Sequence, residues 1–145
     1  MTQTISRLFL VTVTSLLIAC STAAEDKDST IQNESEKITA EIKAKNAELE
    51  ALIGDASCNT SQQCQSLAVG HKPCGGPSYF LPYSTKGLKQ DEISHLEALA
   101  RESSELSKRW NELNPRLSNC MLEQPPVLVC LDNRCQTANS THPVM

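Results

Sequence analysis

Aromatic side chains are scarce: one Trp, two Tyr and two Phe in 145 residues. If Asp55 to Ala138 is the compact part, its 84 residues with so few large apolar groups have a core that contributes only about 3–5 kcal/mol, and covalent staples are the usual remedy. The chain also has no C-x-x-C pair, which counts against a thioredoxin-like redox centre and against a zinc ribbon. The nearest metal-like spacing, His71-x-x-Cys74, is a single pair without a second, so no metal is expected. G-x-S-x-G, S-x-x-K, H-E-x-x-H, P-loop and EF-hand patterns are all missing, and with them the usual signatures of hydrolases, nucleotide binding and calcium binding. The reading is of a protein that is not an enzyme and needs no cofactor. His71, His95 and His142 read as solvated or capping side chains. The carboxylates fall mostly on helical stretches, where a solvated face explains them.

Long apolar runs are missing too, except near the start. Leu8 to Ala19 is apolar apart from Thr12, Thr14 and Ser15, and Arg7 is the one charged side chain before it. A bilayer-spanning helix needs roughly 20 mainly apolar residues, so residues 1–19 read instead as the charged and apolar regions of a signal peptide. At its end, Leu17-Ile18-Ala19-Cys20 places an aliphatic residue three before a cysteine and a small residue directly before it. This resembles the lipobox of bacterial lipoproteins. The resemblance ends at Ser21. It implies that Cys20 carries a diacylglycerol on its thiol and an acyl chain, such as palmitate, on its new amino group. Two or three acyl chains give the lasting membrane anchor that one does not. Ser21, where an aspartate would favour the inner membrane, implies an outer-membrane protein, its domain facing the periplasm. Two other readings stay open: secretory cleavage after Ala23, following Ser21-Thr22-Ala23, and a short uncleaved anchor.

Charge of one sign dominates. The chain has 13 basic and 17 acidic side chains, and removing residues 1–19 takes away Arg7, so 12 − 17 leaves a net −5. That balance counts against nucleic acid and against electrostatic adhesion to anionic lipid; membrane contact is expected from the lipid alone. Of the seven cysteines, lipidation of Cys20 leaves Cys58, Cys64, Cys74, Cys120, Cys130 and Cys135. An even set in an exported protein reads as three disulfides.

Residues 20–34 read as the lipidated cysteine and a flexible tether, because the stretch after Cys20 is polar, charged and almost devoid of apolar residues. Residues 35–54 read as an amphipathic helix, capped at Asn33 or Ser35 and stopped by Gly54. Its stripe of Ile38, Ile42, Leu49 and Leu52 is interrupted by Lys45. Packing on its own domain, self-association through residues 38–53 and binding of another envelope protein are the uses it allows. Residues 55–138 read as a cysteine-rich α+β domain, and residues 139–145 as a tail. Within the domain, Gln65–Val69 and Tyr79–Tyr83 suggest short strands, the second an edge strand because of Pro82. A helix over 91–114 carries Ile93, Leu96, Ala100, Leu106, Trp110 and Leu113 on one side, and Pro115 ends it. Two last strands flank a turn at Asp132-Asn133. The fold class is thus a small disulfide-stapled α+β domain of two helices and two short β-hairpins after a disordered tether.

In a tight Asp132-Asn133 hairpin, Cys130 and Cys135 face one another on one side of the ribbon. Either they bond together, or both point at the core and meet Cys58 and Cys64. The second arrangement is favoured, with Cys74 joined to Cys120. The candidate binding loop is Pro73–Tyr83: Tyr79, Phe80 and Tyr83 are three of the four aromatics after Cys20 and follow a Gly-Pro-shaped, cysteine-pinned turn. Tyr supplies contact area at small entropic cost. Alternate residues of a strand serving as core and edge are the competing reading of those three side chains. The function read from all this is a non-catalytic binding or structural role at the envelope. The alternative is an envelope inhibitor of a hydrolase, a protease or a lysozyme, acting through that loop.

Overall fold

The computed structural model describes residues 22–118 and 120–138, with side chains from residue 27 onward. The chain divides into two compact units, residues 1–34 and 35–145. Cys20, residues 1–19 expected to be a signal peptide, His142 and the tail over 139–145 lie outside the described residues.

The first helix, α1, runs Thr22–Ile53. The fold class therefore holds, but residues 22–34 are helical where a flexible tether is expected. The physical reason is local. Ala23 and Ala24 are strong helix formers, and Lys27 and Gln32 are straight-chain residues that lose little freedom in a helix. Gln32 Nε2 donates to Asp28 Oδ2 at 3.3 Å, one turn away. A composition rule weighs how much apolar area can be buried, whereas this stretch needs little of it: residues 27–30 are exposed.

In the second unit, residues 35–53 of α1 lie antiparallel to a second helix, α2 (Gln90–Leu113). Asn114 Nδ2 donates to Ser35 Oγ at 2.9 Å, and Ser103 Oγ donates to Asn46 Oδ1 at 2.7 Å. Ile38 and Leu49 are buried in the chain itself, while Leu52 stays exposed. Under the helices lies an antiparallel ladder of β1 (Cys64–Val69) and β2 (Tyr79–Ser84), registered from Cys64↔Ser84 to Val69↔Tyr79. Alternation puts Leu67 and Val69 of β1 with Leu81 and Tyr83 of β2 on one face. Leu67, Val69 and Tyr83 join Leu49, Leu96, Leu99 and Ala100 in the main core, with Leu81 packed against it. Pro82 pairs with Ser66 in a sheet of only two strands, so it sits on an edge strand as expected. On α2 the buried face is Leu96, Leu99, Ala100 and Ser103. Leu106, Trp110 and Leu113 are only half-buried.

The last hairpin pairs β3 (Leu128–Leu131) with β4 (Arg134–Thr137). Its turn residues Asp132 and Asn133 both have positive φ, 51° and 58°. Asp and Asn tolerate that conformation, which is how a tight turn forms here without glycine. Residues 56–58 add to the outer edge of β4: Cys58 N–H donates to Asn133 O and Cys135 N–H to Ala56 O, each at 2.9 Å. Cys130 and Cys135 are directly opposite in the ladder and bond not to each other but to Cys58 and Cys64. The third bridge is Cys74–Cys120. The favoured arrangement is the observed one, and the structure adds which of Cys58 and Cys64 meets which strand.

Candidate functional site

The loop between β1 and β2 is shaped by glycine and tied down at several points. Gly75 and Gly76 have φ of 94° and 79°, a region closed to most side chains. Within the loop, Lys72 N–H donates to Gly76 O at 3.0 Å and Gly75 N–H to Lys72 O at 2.9 Å. Asn111 Nδ2 of α2 donates to His71 O at 2.7 Å, fixing the loop to the helix. Across from it runs the segment Cys120–Val127, which has no regular secondary structure. The Cys74–Cys120 bridge joins the two. Lys72 Nζ reaches over to donate to Met121 O at 2.8 Å and to Glu123 Oε1 at 2.6 Å. A Cβ on Gly76 would lie 3.5 Å from the Leu122 side chain, so Leu122 rests over that glycine. At the far end, Ala138 N–H donates to Val127 O at 2.8 Å. The result is a clasp in which loop and segment hold one another, with Met121 and Leu122 each 66% exposed.

The aromatics expected to mark a binding loop are separated by this arrangement. Tyr79 sits at the rim, 37% exposed; partial burial, then the charge of Glu50, pushes its hydroxyl pKa up. Phe80 is half-buried and belongs to the opposite face of the ribbon. Tyr83 is core, 6% exposed, packed with Leu67 and Leu96, and burial followed by the charge of Glu97 raises its pKa. Only Tyr79 is displayed to solvent. His95 lies 3.7 Å from Glu48 on an exposed helix face, and His71 contributes its backbone carbonyl to the loop.

Residue-by-residue reading missed Lys72, Asn111 and Glu123. The signal for Lys72 was its place beside Cys74 in "HKPCGG", but its partner Glu123 is 51 residues away. Among the described residues, the Sγ atoms of Cys58, Cys64 and Cys135 lie within 4.8 Å of one another, close enough for a metal. All three are in disulfides, and a metal takes the free thiolate, so this is two bridges packed side by side. Between α1 and α2 an open groove of about 1080 Å³ is lined by Lys45, Arg101, Glu102, Glu105, Lys108 and neighbours. Its mixed charges are those of a solvated helix face. No helix among the described residues is long and apolar enough to cross a membrane.

Fold and bridges together define the class: a small disulfide-stapled α+β domain. Comparison with known proteins returns no matching family, no matching curated protein and no matching solved structure.

Proposed function

We propose that the chain is a lipid-anchored lipoprotein of the bacterial outer membrane whose disulfide-stapled domain binds an envelope partner without catalysis. The observation that supports binding is the clasp, which holds the exposed Met121 and Leu122 over a glycine-shaped loop by one covalent and two hydrogen-bonded ties, the loop itself being fixed to α2 by Asn111. Fixing apolar side chains in advance lowers the entropy lost when a partner docks. The lipid anchor rests on the Leu17–Cys20 pattern. Intact mass of the membrane-extracted protein tests it. The expected mass is residues 20–145 plus a diacylglycerol and an acyl chain, gaining six alkyl groups after reduction and alkylation. A lipid-free chain starting near Ala24 would remove the anchor.

A second reading, inhibition of a protease or lysozyme, is supported by the exposure of Tyr79 at the rim of a loop held at Cys74. It requires measurable inhibition that Tyr79→Ala weakens by about 10-fold or more, as for a buried aromatic anchor. Inactivity of the intact protein against both enzyme classes would end it.

A further inference from the structure

The three bridges differ in their surroundings. Cys58, Cys64 and Cys135 are 0%, 8% and 5% exposed and form one apolar cluster with Ala56, against which Ile53, Leu128 and the half-buried Cys130 pack. Cys74 and Cys120 are both exposed, and neither belongs to a core cluster. In thiol–disulfide exchange the attacking thiolate must reach a sulfur directly, so access governs the rate.

We propose that Cys74–Cys120 is a thiol-exchange site, opened by a dithiol donor while the two bridges packed in the core cluster stay closed, which frees residues 120–127 from the β1–β2 loop. The donor's thiolate attacks one Sγ of the pair. The Cys74–Cys120 bond breaks, a mixed disulfide forms, and the expelled sulfur takes a proton. The donor's second thiol then displaces the mixed disulfide. Two electrons and two protons pass from the donor to the pair, giving two cysteine thiols and an oxidised donor. This chain is the substrate of that exchange and not its agent, since it has no C-x-x-C of its own.

What remains after cleavage is unequal on the two sides. The loop keeps its internal bonds between Lys72, Gly75 and Gly76 and its tie to Asn111. The segment keeps Lys72 to Glu123 and to the Met121 carbonyl. Lys72 keeps 18% and Glu123 46% of its side chain in solvent, so the carboxylate end of the pair is hydrated and these contacts hold the segment less firmly than the covalent bond does. The loop therefore stays in place while the segment lifts, and Leu122 leaves its seat on Gly76. Both core clusters, which contain neither cysteine, remain closed.

The oxidised full chain is treated with limiting dithiothreitol, quenched with N-ethylmaleimide at intervals, and mapped by peptide mass. Cys74 and Cys120 are expected to be labelled together about 10-fold or more faster than the other four, because exchange at an exposed bridge needs no opening of the core. Far-UV dichroism should stay constant meanwhile. Labelling of the four core cysteines at the same rate or faster would overturn the proposal, as would labelling of Cys74 and Cys120 only in step with loss of dichroism. The double variant Cys74→Ala/Cys120→Ala gives an independent reading. It is expected to fold with the parent spectrum and two intact bridges, and failure to do so would show that this bridge is not separable from the core.

Discussion

At Gly70 the backbone has φ +73°, and a Cβ built there would lie 2.7 Å from Ser78 Oγ and 2.9 Å from Ser78 Cβ. Ser78 cannot simply retreat, because its N–H donates to Val69 O at 2.9 Å and closes the β1–β2 ladder. Gly54 at the end of α1 provides the contrast: its φ is +56°, yet nothing lies within 4 Å of a Cβ there. Both positions charge an alanine for the left-handed conformation, but only Gly70 adds a collision. Gly70→Ala is therefore expected to destabilise by about 1–3 kcal/mol and by more than Gly54→Ala, measured as the shift in urea midpoint. Equal shifts would mean that the loop yields freely and that the close approach costs nothing. Replacing Ser78 by glycine in the Gly70→Ala background should relieve the collision but leave the conformational cost.

At the scale of elements, the contact between the two helices is partly polar, and one pair in it titrates. Lys45 Nζ lies 2.7 Å from Glu102 Oε2. The hydrogen bond from Lys45, and then its charge, hold the Glu102 carboxyl below its ordinary 4.5. The same hydrogen bond to Glu102, outweighing partial desolvation, raises the Lys45 ammonium above its ordinary 10.5. A lowered carboxylate contributes stability above its unfolded pKa and loses it as pH falls through the folded one; a raised ammonium contributes fully below its unfolded pKa and loses it as pH climbs through the folded one. The pair thus supports the helices fully between about 4.5 and 10.5, and its contribution is lost further out, as pH falls through the lowered Glu102 pKa or climbs through the raised Lys45 pKa. Glu102→Gln is expected to lower stability slightly at neutral pH and to match the parent in strong acid, followed by urea unfolding across pH. A difference that persists in acid would belong to packing and not to charge. The element order was legible because each signal was local: Gly54 as a stop, Pro115 after α2, and apolar alternation around Asp132-Asn133. The hairpin even constrained the bridges, since facing cysteines that do not bond to each other must point at a common partner region. Illegible were features set by distant partners. The burial of Tyr83 beneath Leu96 and the tie from Lys72 to Glu123 depend on how the helices and the segment after α2 come to rest on the ladder. The helicity of residues 22–34 is illegible for the opposite reason, being a propensity effect that a composition rule for disorder does not weigh.

For the molecule as a whole, the bridges set how far the chain can fall apart. Cys58–Cys130 and Cys64–Cys135 close long loops, spanning 72 and 71 residues, and removing such a native bridge from a small domain typically costs about 2–5 kcal/mol. That is comparable to what a core this short of large side chains contributes. Their side-by-side placement adds a chemical consequence. Cys58 Sγ lies within 4.8 Å of both sulfurs of the neighbouring Cys64–Cys135 bridge. In Cys130→Ser the freed Cys58 thiol is thus positioned to attack that bridge, yielding Cys58–Cys64 with Cys135 reduced, or Cys58–Cys135 with Cys64 reduced. Exchange needs the thiolate, and burial in an apolar cluster disfavours it, so the shuffling should accelerate as pH is raised. Peptide mapping under non-reducing conditions is expected to find a mixture of these bridges in Cys130→Ser. The double variant Cys58→Ala/Cys130→Ala, destabilised by a similar amount, should retain Cys64–Cys135 unshuffled beside Cys74–Cys120. If Cys58 stayed the one free cysteine of Cys130→Ser in alkali, the two bridges would be insulated from one another despite their closeness, and packing around Ala56 and Ile53 would be what holds the sulfurs out of line.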